Sequence, residues 1–93
     1  MIQSFANEIT KNIWEGNAVT TLPPAIQQRA REKLRILNAA RTIYDLYQPP
    51  SNRFHALKGG RNGQFSIRIN DQWRICFRFD DGNAHEVEIT DYH

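Results

Sequence analysis

The spacing of apolar residues changes near the middle of this chain, and this change restricts the possible folds more than any other feature. Before residue 48, apolar residues recur every three or four positions, which is the spacing of one helix face. After residue 64 they alternate with polar residues, as in strands with one buried face. Helices gathered first and strands gathered last indicate an α+β fold, with the helices packed on one face of a small antiparallel sheet.

The first half predicts a short N-terminal strand at residues 2–5 and two helices. The first helix ends at Gly16, a residue suited to the left-handed cap position. The second begins at Pro23-Pro24, because the fixed φ of proline suits a first helical turn. Arg31 and Arg35 are predicted on its outer side, as a solvated face or a partner contact. Its inner face is predicted to consist of Ile26, Ala30, Leu34, Leu37 and Ala40.

A further helical turn is predicted at 40–47, followed by three strands at 65–69, 73–79 and 85–90. An Asp-Gly dipeptide between the last two strands favours a tight hairpin. By alternation, one set of side chains faces away from the helices, namely Ser66, Arg68, Arg74, Cys76 and Arg78. Three arginines are therefore predicted on an open sheet face, either simply solvated or available to an anionic partner. His85 shares the parity of the inward residues and is predicted to be a partly buried structural histidine.

The composition fits one globular domain spanning residues 1–93. The isoelectric point is about 9.0, and most of the twelve basic residues are arginine. Arginine binds phosphate with two parallel hydrogen bonds and stacks on bases, so an Arg-rich surface suits nucleic acid better than a Lys-rich surface of equal charge. A solvated basic face without a partner is the alternative. The single cysteine, Cys76, cannot form an internal disulfide and fits a reducing cytoplasm.

Several classes of protein are disfavoured by the sequence. The N-terminal residues lack the pattern of a signal peptide, and no apolar run reaches the roughly 18 residues that would span a bilayer, so we expect no membrane partner. The three histidines, His55, His85 and His93, do not have metal-ligand spacing, and no phosphate-binding or dinucleotide-binding loop is present. We therefore expect neither a metal nor a cofactor.

Two segments carry a specific resemblance. The run FHALKGGRNGQFSIRINDQWRICFRF at 54–79 and the final residues DYH contain the patterns H-x-L-K-G, W-R-I-x-F and D-Y-H. These patterns resemble the HigB branch of the RelE/ParE toxin superfamily. Weaker similarity at MIQSFANE and LPPAIQQRAREKLRILNAA extends the resemblance over nearly the whole chain. It implies a RelE-like fold.

The resemblance also implies an activity and a set of partners. Such a toxin is a ribosome-dependent endoribonuclease that cuts mRNA during translation on the 70S ribosome. It is held inactive by a HigA-like antitoxin with a helix-turn-helix domain, and it meets operator DNA only through the antitoxin complex. The residues that match the functional positions of the family are His55, Lys58, Arg74, Asp91, Tyr92 and His93.

The chemistry of these residue types suits RNA cleavage without a metal. Attack of a 2′-hydroxyl on the adjacent phosphate needs a base, an acid for the 5′-oxygen and cations for the phosphate. An imidazole can take or give a proton near neutral pH, so we favour His93 as acid or base and His55 as its counterpart or as an orienting group. Arg74 and Lys58 are predicted to bind the scissile phosphate.

The remaining matched residues have supporting roles. Asp91 could orient a histidine and favour its protonated form, and Tyr92 could stack on a base. Further RNA contacts are predicted at Arg68, Gln72 and Arg78 on or beside the outer sheet face. Gln72 departs from the asparagine common in the family, which leaves base preference open.

Two other readings of the same fold remain. A ParE-like toxin would inhibit DNA gyrase by binding it and would cut nothing, since fold does not fix function. The histidines and the terminal D-Y-H argue against this. A catalytically inert module that binds RNA or antitoxin would explain the arginines without using His55 or His93.

Overall fold

The protein is described from a computed structural model that covers residues 1–91. Tyr92 and His93 lie outside the described residues. Two helices precede the sheet, α1 at Glu8–Trp14 and α2 at Pro24–Ala39. Four antiparallel strands follow in the spatial order β1-β2-β3-β4, and their ranges are His55–Ala56, Phe65–Arg68, Trp73–Asp80 and Asn83–Asp91. The predicted α+β fold is confirmed, with β1 as an additional edge strand.

The N-terminal segment runs parallel to β4 but does not form a continuous strand, so the predicted strand at 2–5 is wrong in detail. Ile2 and Phe5 make isolated bridges to Ala84 and Val87. Between them the backbone N–H of Glu86 donates to the Ser4 hydroxyl at 2.9 Å, not to a backbone carbonyl. This side-chain contact interrupts the ladder.

Both helices begin and end where local chemistry favours it. The side chain of Asn7 caps α1 by accepting from the Thr10 N–H at 2.9 Å, and Gly16 follows the helix with φ of +89°.

The five inner-face residues predicted for α2 are all buried. Arg35 is exposed as predicted, whereas Arg31 donates from Nε to the Ile13 carbonyl at 3.0 Å and so satisfies the end of α1.

The predicted turn at 40–47 is a 3₁₀ helix at Ile43–Tyr47, and a second one follows at Pro50–Asn52. The Asp45 carboxylate accepts backbone N–H groups from Arg41 and Thr42, and these two hydrogen bonds lower the pKa of that carboxyl. A carboxylate at this position suits the start of such a turn.

The core lies between the helices and the inner face of the sheet. Strands β2, β3 and β4 contribute side chains with less than a tenth of their surface exposed, namely Ile67, Ile75, Phe77, Val87 and Ile89. They pack in one cluster with Ile13 of α1 and with Leu34 and Leu37 of α2. Full burial of each such side chain contributes roughly 1.5–3 kcal/mol. The predicted inward set is therefore confirmed for these positions.

A hairpin and a bulge shape β3 and β4. Asp81 and Gly82 both have positive φ, +48° and +77°, as a type I′ turn requires, and the predicted hairpin is confirmed. In β4, Cys76 pairs with Glu88 but Arg78 pairs with His85, so one extra residue is inserted. His85 therefore shares the face of Arg78, and its predicted inward parity is wrong, although it is partly buried.

The prediction of a fully open outer face is also wrong. Ser66 and Cys76 are completely buried, and Arg74 is only 8% exposed. The chain after β1, residues 57–64, folds back over this face, and we name it the covering segment. Its Arg61 reaches Glu88 on β4 at 3.1 Å, and its Gly63 lies so close to Arg78 that an added Cβ would be 2.8 Å from the guanidinium. Strand alternation contains no information about such a cover.

Candidate active site

The candidate site lies at the end of the outer face where β3 begins. Arg74 is in register with Arg68 on β2 and with Thr90 on β4, and His55 on β1 is in register with Ser66. Sheet pairing therefore gathers an imidazole and two guanidinium groups from three strands. Sequence reasoning named all three groups, but not the strand β1 that positions His55.

Arg74 is held by several hydrogen bonds. Its Nε donates to the Ser66 hydroxyl at 2.8 Å, and one terminal nitrogen donates to the Arg53 carbonyl at 2.6 Å. The same nitrogen lies 3.3 Å from Nδ1 of His55. Because the guanidinium is buried and bonded on several sides, its charge is fixed in place before any substrate binds. A pre-positioned cation of this kind can stabilise charge that develops on a phosphate.

Arg53 supplies a backbone group that sequence reasoning missed. Its φ and ψ of 43° and 51° are left-handed, which is uncommon for a residue other than glycine, asparagine or aspartate. In this conformation the Arg53 carbonyl accepts from Arg74 and lies 3.1 Å from Nδ1 of His55. No sequence signal for this conformation is visible beyond the preceding proline-rich turn.

A cleft of about 370 Å³ opens beside these groups. Arg68 pairs there with the exposed carboxylate of Asp71. The turn between β2 and β3 is shaped by the Asn70 side chain, which accepts the backbone N–H groups of Gln72 and Trp73. The cleft is lined by Arg53, Arg68, Asn70, Asp71 and Arg74. Three arginines against one carboxylate make it a place for an anion.

A buried lysine contacts the turn that precedes Arg53. Lys33 of α2 is 5% exposed, and its Nζ donates to Asn52 Oδ1 at 2.7 Å and to the Ser51 hydroxyl at 3.2 Å. Burial lowers the pKa of Lys33, and the nearby charges of Arg29 and Arg68 lower it further. The signal in the sequence is its spacing, three residues after one inward alanine and four before an inward leucine, which puts Lys33 on the inner stripe of α2.

Three other predicted site residues, Lys58, Gln72 and Arg78, lie at different distances from Arg74 and His55. Lys58 is exposed at the start of the covering segment, three residues after His55, and its side chain makes no hydrogen bond or ion pair within residues 1–91. Gln72 donates from Nε2 to Asp91 Oδ2 at 3.1 Å. Arg78 pairs with Glu86 at 2.8 Å and lies four residues along β3 from Arg74, roughly 13 Å at the usual rise of a strand.

The C-terminal prediction is only partly described. Asp91 pairs with Trp73, next to the row that contains Arg74, so β4 ends beside the site. Tyr92 and His93, the other two residues of the predicted D-Y-H group, lie outside the described residues. Within residues 1–91, no group of three or more His, Cys, Asp or Glu side chains could hold a metal ion, and no helix is long and apolar enough to cross a membrane.

Comparison with solved structures identifies the fold. The chain is similar to the YoeB-YefM complex from Staphylococcus aureus, with a TM-score of 0.63, 20% identity and coverage of 100% of this chain and 95% of that one. It is also similar to YafQ from E. coli, with a TM-score of 0.62, 12% identity and coverage of 98% and 91%. At these identities the likeness shows the fold alone, which is that of the RelE-fold toxins.

Sequence comparison then gives the family. Residues 3–93 match the family described as the RelE-like toxin of the type II toxin-antitoxin system HigB. Endoribonuclease HigB of Proteus vulgaris is 32% identical over 93 residues, which is the full length of both chains. Toxin HigB-1 of Vibrio cholerae serotype O1 is 44% identical over 63 residues, 68% of this chain and 66% of that protein. The chain belongs to the HigB-like family of RelE-superfamily toxins, as the resemblance implied, and its system pairs it with an antitoxin.

Proposed function

We propose that this toxin is an endoribonuclease that inhibits translation by cutting mRNA on the 70S ribosome, through acid–base catalysis without a metal. One relative that spans the whole chain is named Endoribonuclease HigB. The observation that carries the proposal is the contact between the exposed imidazole of His55 and the buried, hydrogen-bonded guanidinium of Arg74. We further propose that residues 1–93 form a single toxin domain.

The proposed reaction begins with attack of a 2′-oxygen on the adjacent phosphorus. A base removes the 2′ proton, the bond from phosphorus to the 5′-oxygen breaks, and an acid gives a proton to that oxygen. The products are a 2′,3′-cyclic phosphate and a 5′-hydroxyl. His55 and His93 are the proposed acid–base pair. Arg74 stabilises the growing charge on the phosphate oxygens, with Lys58 as a second cation.

Other residues are proposed to bind or orient the RNA. Asp91 orients a histidine and Tyr92 stacks on a base. Arg68 is proposed to bind a neighbouring phosphate, which its charge and its place in the lining of the cleft with Arg74 support. Gln72 at the β2–β3 turn is proposed as a base contact, and Arg78, farther along β3, as a peripheral phosphate contact.

The ribosome and the antitoxin complete the proposal. A small site gains large factors in rate when the nucleotide is held in line for attack, and the ribosome would supply this positioning, so free RNA should be cut poorly. We propose a HigA-like helix-turn-helix antitoxin as the partner, contact with operator DNA only through that complex, and action in the cytoplasm.

Primer extension on a defined transcript, with and without ribosomes, tests the activity. We expect cuts in the coding region only during translation, and we expect a single 2′-deoxynucleotide at the cut position to prevent cleavage there because the nucleophile is missing. Intact transcripts together with inhibited DNA supercoiling by gyrase would favour the ParE-like reading. Intact transcripts and unaffected gyrase would favour a binding module.

The role of the C-terminal histidine has its own test. His93→Ala should abolish growth inhibition and ribosome-dependent cleavage while folding and antitoxin binding stay intact. His85, on the far part of the outer face, offers a matched control, and His85→Ala should cut normally. Full cleavage by His93→Ala would remove the proposed catalytic role of that residue.

A further inference from the structure

We propose that the backbone carbonyl of Arg53 fixes the tautomer of His55, and that the buried pair Lys33 and Asn52 holds this carbonyl in place. The inference rests on the proposed function, because the tautomer matters for activity only if His55 exchanges protons with RNA. Lys33, Asn52 and the Arg53 backbone are positioning groups that act through His55 and Arg74.

The Arg53 carbonyl lies 3.1 Å from Nδ1 of His55. A carbonyl oxygen can only accept, so the contact is a hydrogen bond when Nδ1 carries the hydrogen. In the neutral ring Nε2 then has the free lone pair. The carbonyl of Arg53 therefore selects the form of His55 in which Nε2 can take a proton from a 2′-hydroxyl.

A second contact competes for the same nitrogen. A terminal nitrogen of Arg74 lies 3.3 Å from Nδ1, and a hydrogen bond between them would require Nδ1 to accept. That Arg74 nitrogen has two hydrogens and donates one of them to the Arg53 carbonyl at 2.6 Å, so the choice depends on the distances from Nδ1 itself. Nδ1 lies closer to the Arg53 carbonyl, at 3.1 Å, than to the Arg74 nitrogen. The carbonyl is thus placed between two donors, His55 and Arg74, and this arrangement favours the Nδ1–H tautomer.

The carbonyl can have this position only while Arg53 stays left-handed. For most residues that conformation costs about 1–2 kcal/mol, so neighbouring groups must hold it. The Arg53 N–H donates to the Pro50 carbonyl at 3.1 Å and closes the 3₁₀ turn before it. Arg53 is consequently fixed by the turn that ends at Asn52.

Asn52 in turn is held from three sides. It is fully buried, and its amide donates to the Leu46 and Gln48 carbonyls, both at 3.1 Å. Its Oδ1 accepts from Lys33 at 2.7 Å. A buried amide with these partners has one orientation, because turning it would leave buried polar groups without hydrogen bonds. The hydrogen bond to Asn52 offsets part of the cost of burying the Lys33 ammonium group on the inner stripe of α2.

A matched pair of substitutions separates the Arg53 backbone from its side chain. Arg53→Gly and Arg53→Val both remove the guanidinium, but glycine adopts the left-handed conformation readily and β-branched valine does not. We expect the valine variant to have a kcat at least about tenfold lower than the glycine variant, while the loss of the charged side chain affects KM equally in both.

The tautomer is read directly by ¹⁵N NMR of the histidine rings, with the His55 signals assigned by comparison with His55→Gln. The wild type and Arg53→Gly should carry the hydrogen on Nδ1, and Arg53→Val should lose this preference. If the valine variant does not fold, Lys33→Met provides the same test, with Arg35→Met as its control because both remove one charge from α2. Only Lys33→Met should change the His55 signals.

Two results would overturn the inference. One is a wild-type His55 with its hydrogen on Nε2, and the other is an unchanged tautomer and kcat in both Arg53→Val and Lys33→Met. Failure of the proposed function looks different, because the NMR signals are recorded on the free toxin. A toxin that cuts no RNA but keeps the Nδ1–H form would refute the nuclease and not the control of the tautomer.

Discussion

The two faces of the sheet are built on opposite principles. The inner face is a continuous apolar layer, with Ile67, Ile75 and Phe77 fully buried beneath the helices. The outer face also has fully buried positions, Ser66 and Cys76, but there burial comes from the covering segment and from hydrogen-bonded polar groups. The stability of the inner face should therefore respond to changes in side-chain volume, and that of the outer face to the loss of hydrogen bonds.

The largest effect is expected on the inner face. Phe77→Ala removes a fully buried ring that packs against Phe65 and Phe79, and we expect it to lower the free energy of unfolding by about 3–5 kcal/mol. Urea unfolding followed by circular dichroism measures this. A loss below about 1 kcal/mol would mean that the inner face is not the main source of stability.

A smaller loss of stability is expected where the outer face uses a hydrogen bond. Ser66→Ala removes the hydroxyl that accepts from Nε of the buried Arg74, and we expect a loss of about 1–3 kcal/mol. The cleavage rate should fall as well, since the guanidinium loses one of its fixed contacts. The same unfolding titration and a single-turnover assay measure the two effects. A stable variant with an unchanged rate would show that this hydrogen bond does not position Arg74.

The covering segment gives a further test of the outer face. Gly63 has φ of +92°, and a Cβ there would meet the Arg78 guanidinium at 2.8 Å. Gly63→Ala should therefore cost about 1 kcal/mol, mostly from backbone strain, because the guanidinium is flexible and can move aside. Gly60→Ala is the control, since Gly60 has open space around it. Equal stability of the two variants would contradict a left-handed backbone at Gly63 in the covering segment.

The smallest expected effect is a pH dependence of stability that comes from the buried Lys33. Burial lowers the pKa of Lys33 below its ordinary value of 10.5, so the unfolded chain binds this proton more tightly than the folded chain does. The stability of the wild type should therefore rise as the pH increases through the folded pKa toward 10.5. Lys33→Met should lack this rise, whereas Phe77→Ala should keep it. Thermal unfolding between neutral pH and pH 10.5 measures the difference, and parallel curves for wild type and Lys33→Met would contradict it.

The inner face could be predicted from the sequence because it depends on periodicity alone. The inward residues of α2, the strand alternation and the Asp81-Gly82 hairpin all follow from local rules. The bulge that places His85 on the outer face could not be predicted, because the residue types of a strand do not show where an extra residue is accommodated.

The sequence predicted which residues form the site, but not the contacts that hold them in place. His55 and Arg74 stand out through their chemistry and through the family patterns around them. The left-handed backbone of Arg53 and the contact of Lys33 with Asn52 depend on how a proline-rich turn packs against α2, and this packing joins residues 19 apart in the chain. Local periodicity carries no information about such long-range contacts.

The central claim is that chemistry takes place where Arg74 meets His55, and not along the outer face in general. The most direct measurement compares single-turnover cleavage by Arg74→Gln and Arg78→Gln, which remove the same charge from the same face of β3. With folding and antitoxin binding verified for both, we predict a loss of about 100- to 1,000-fold for Arg74→Gln and of only a few-fold for Arg78→Gln. Equal losses in the two variants would contradict the account.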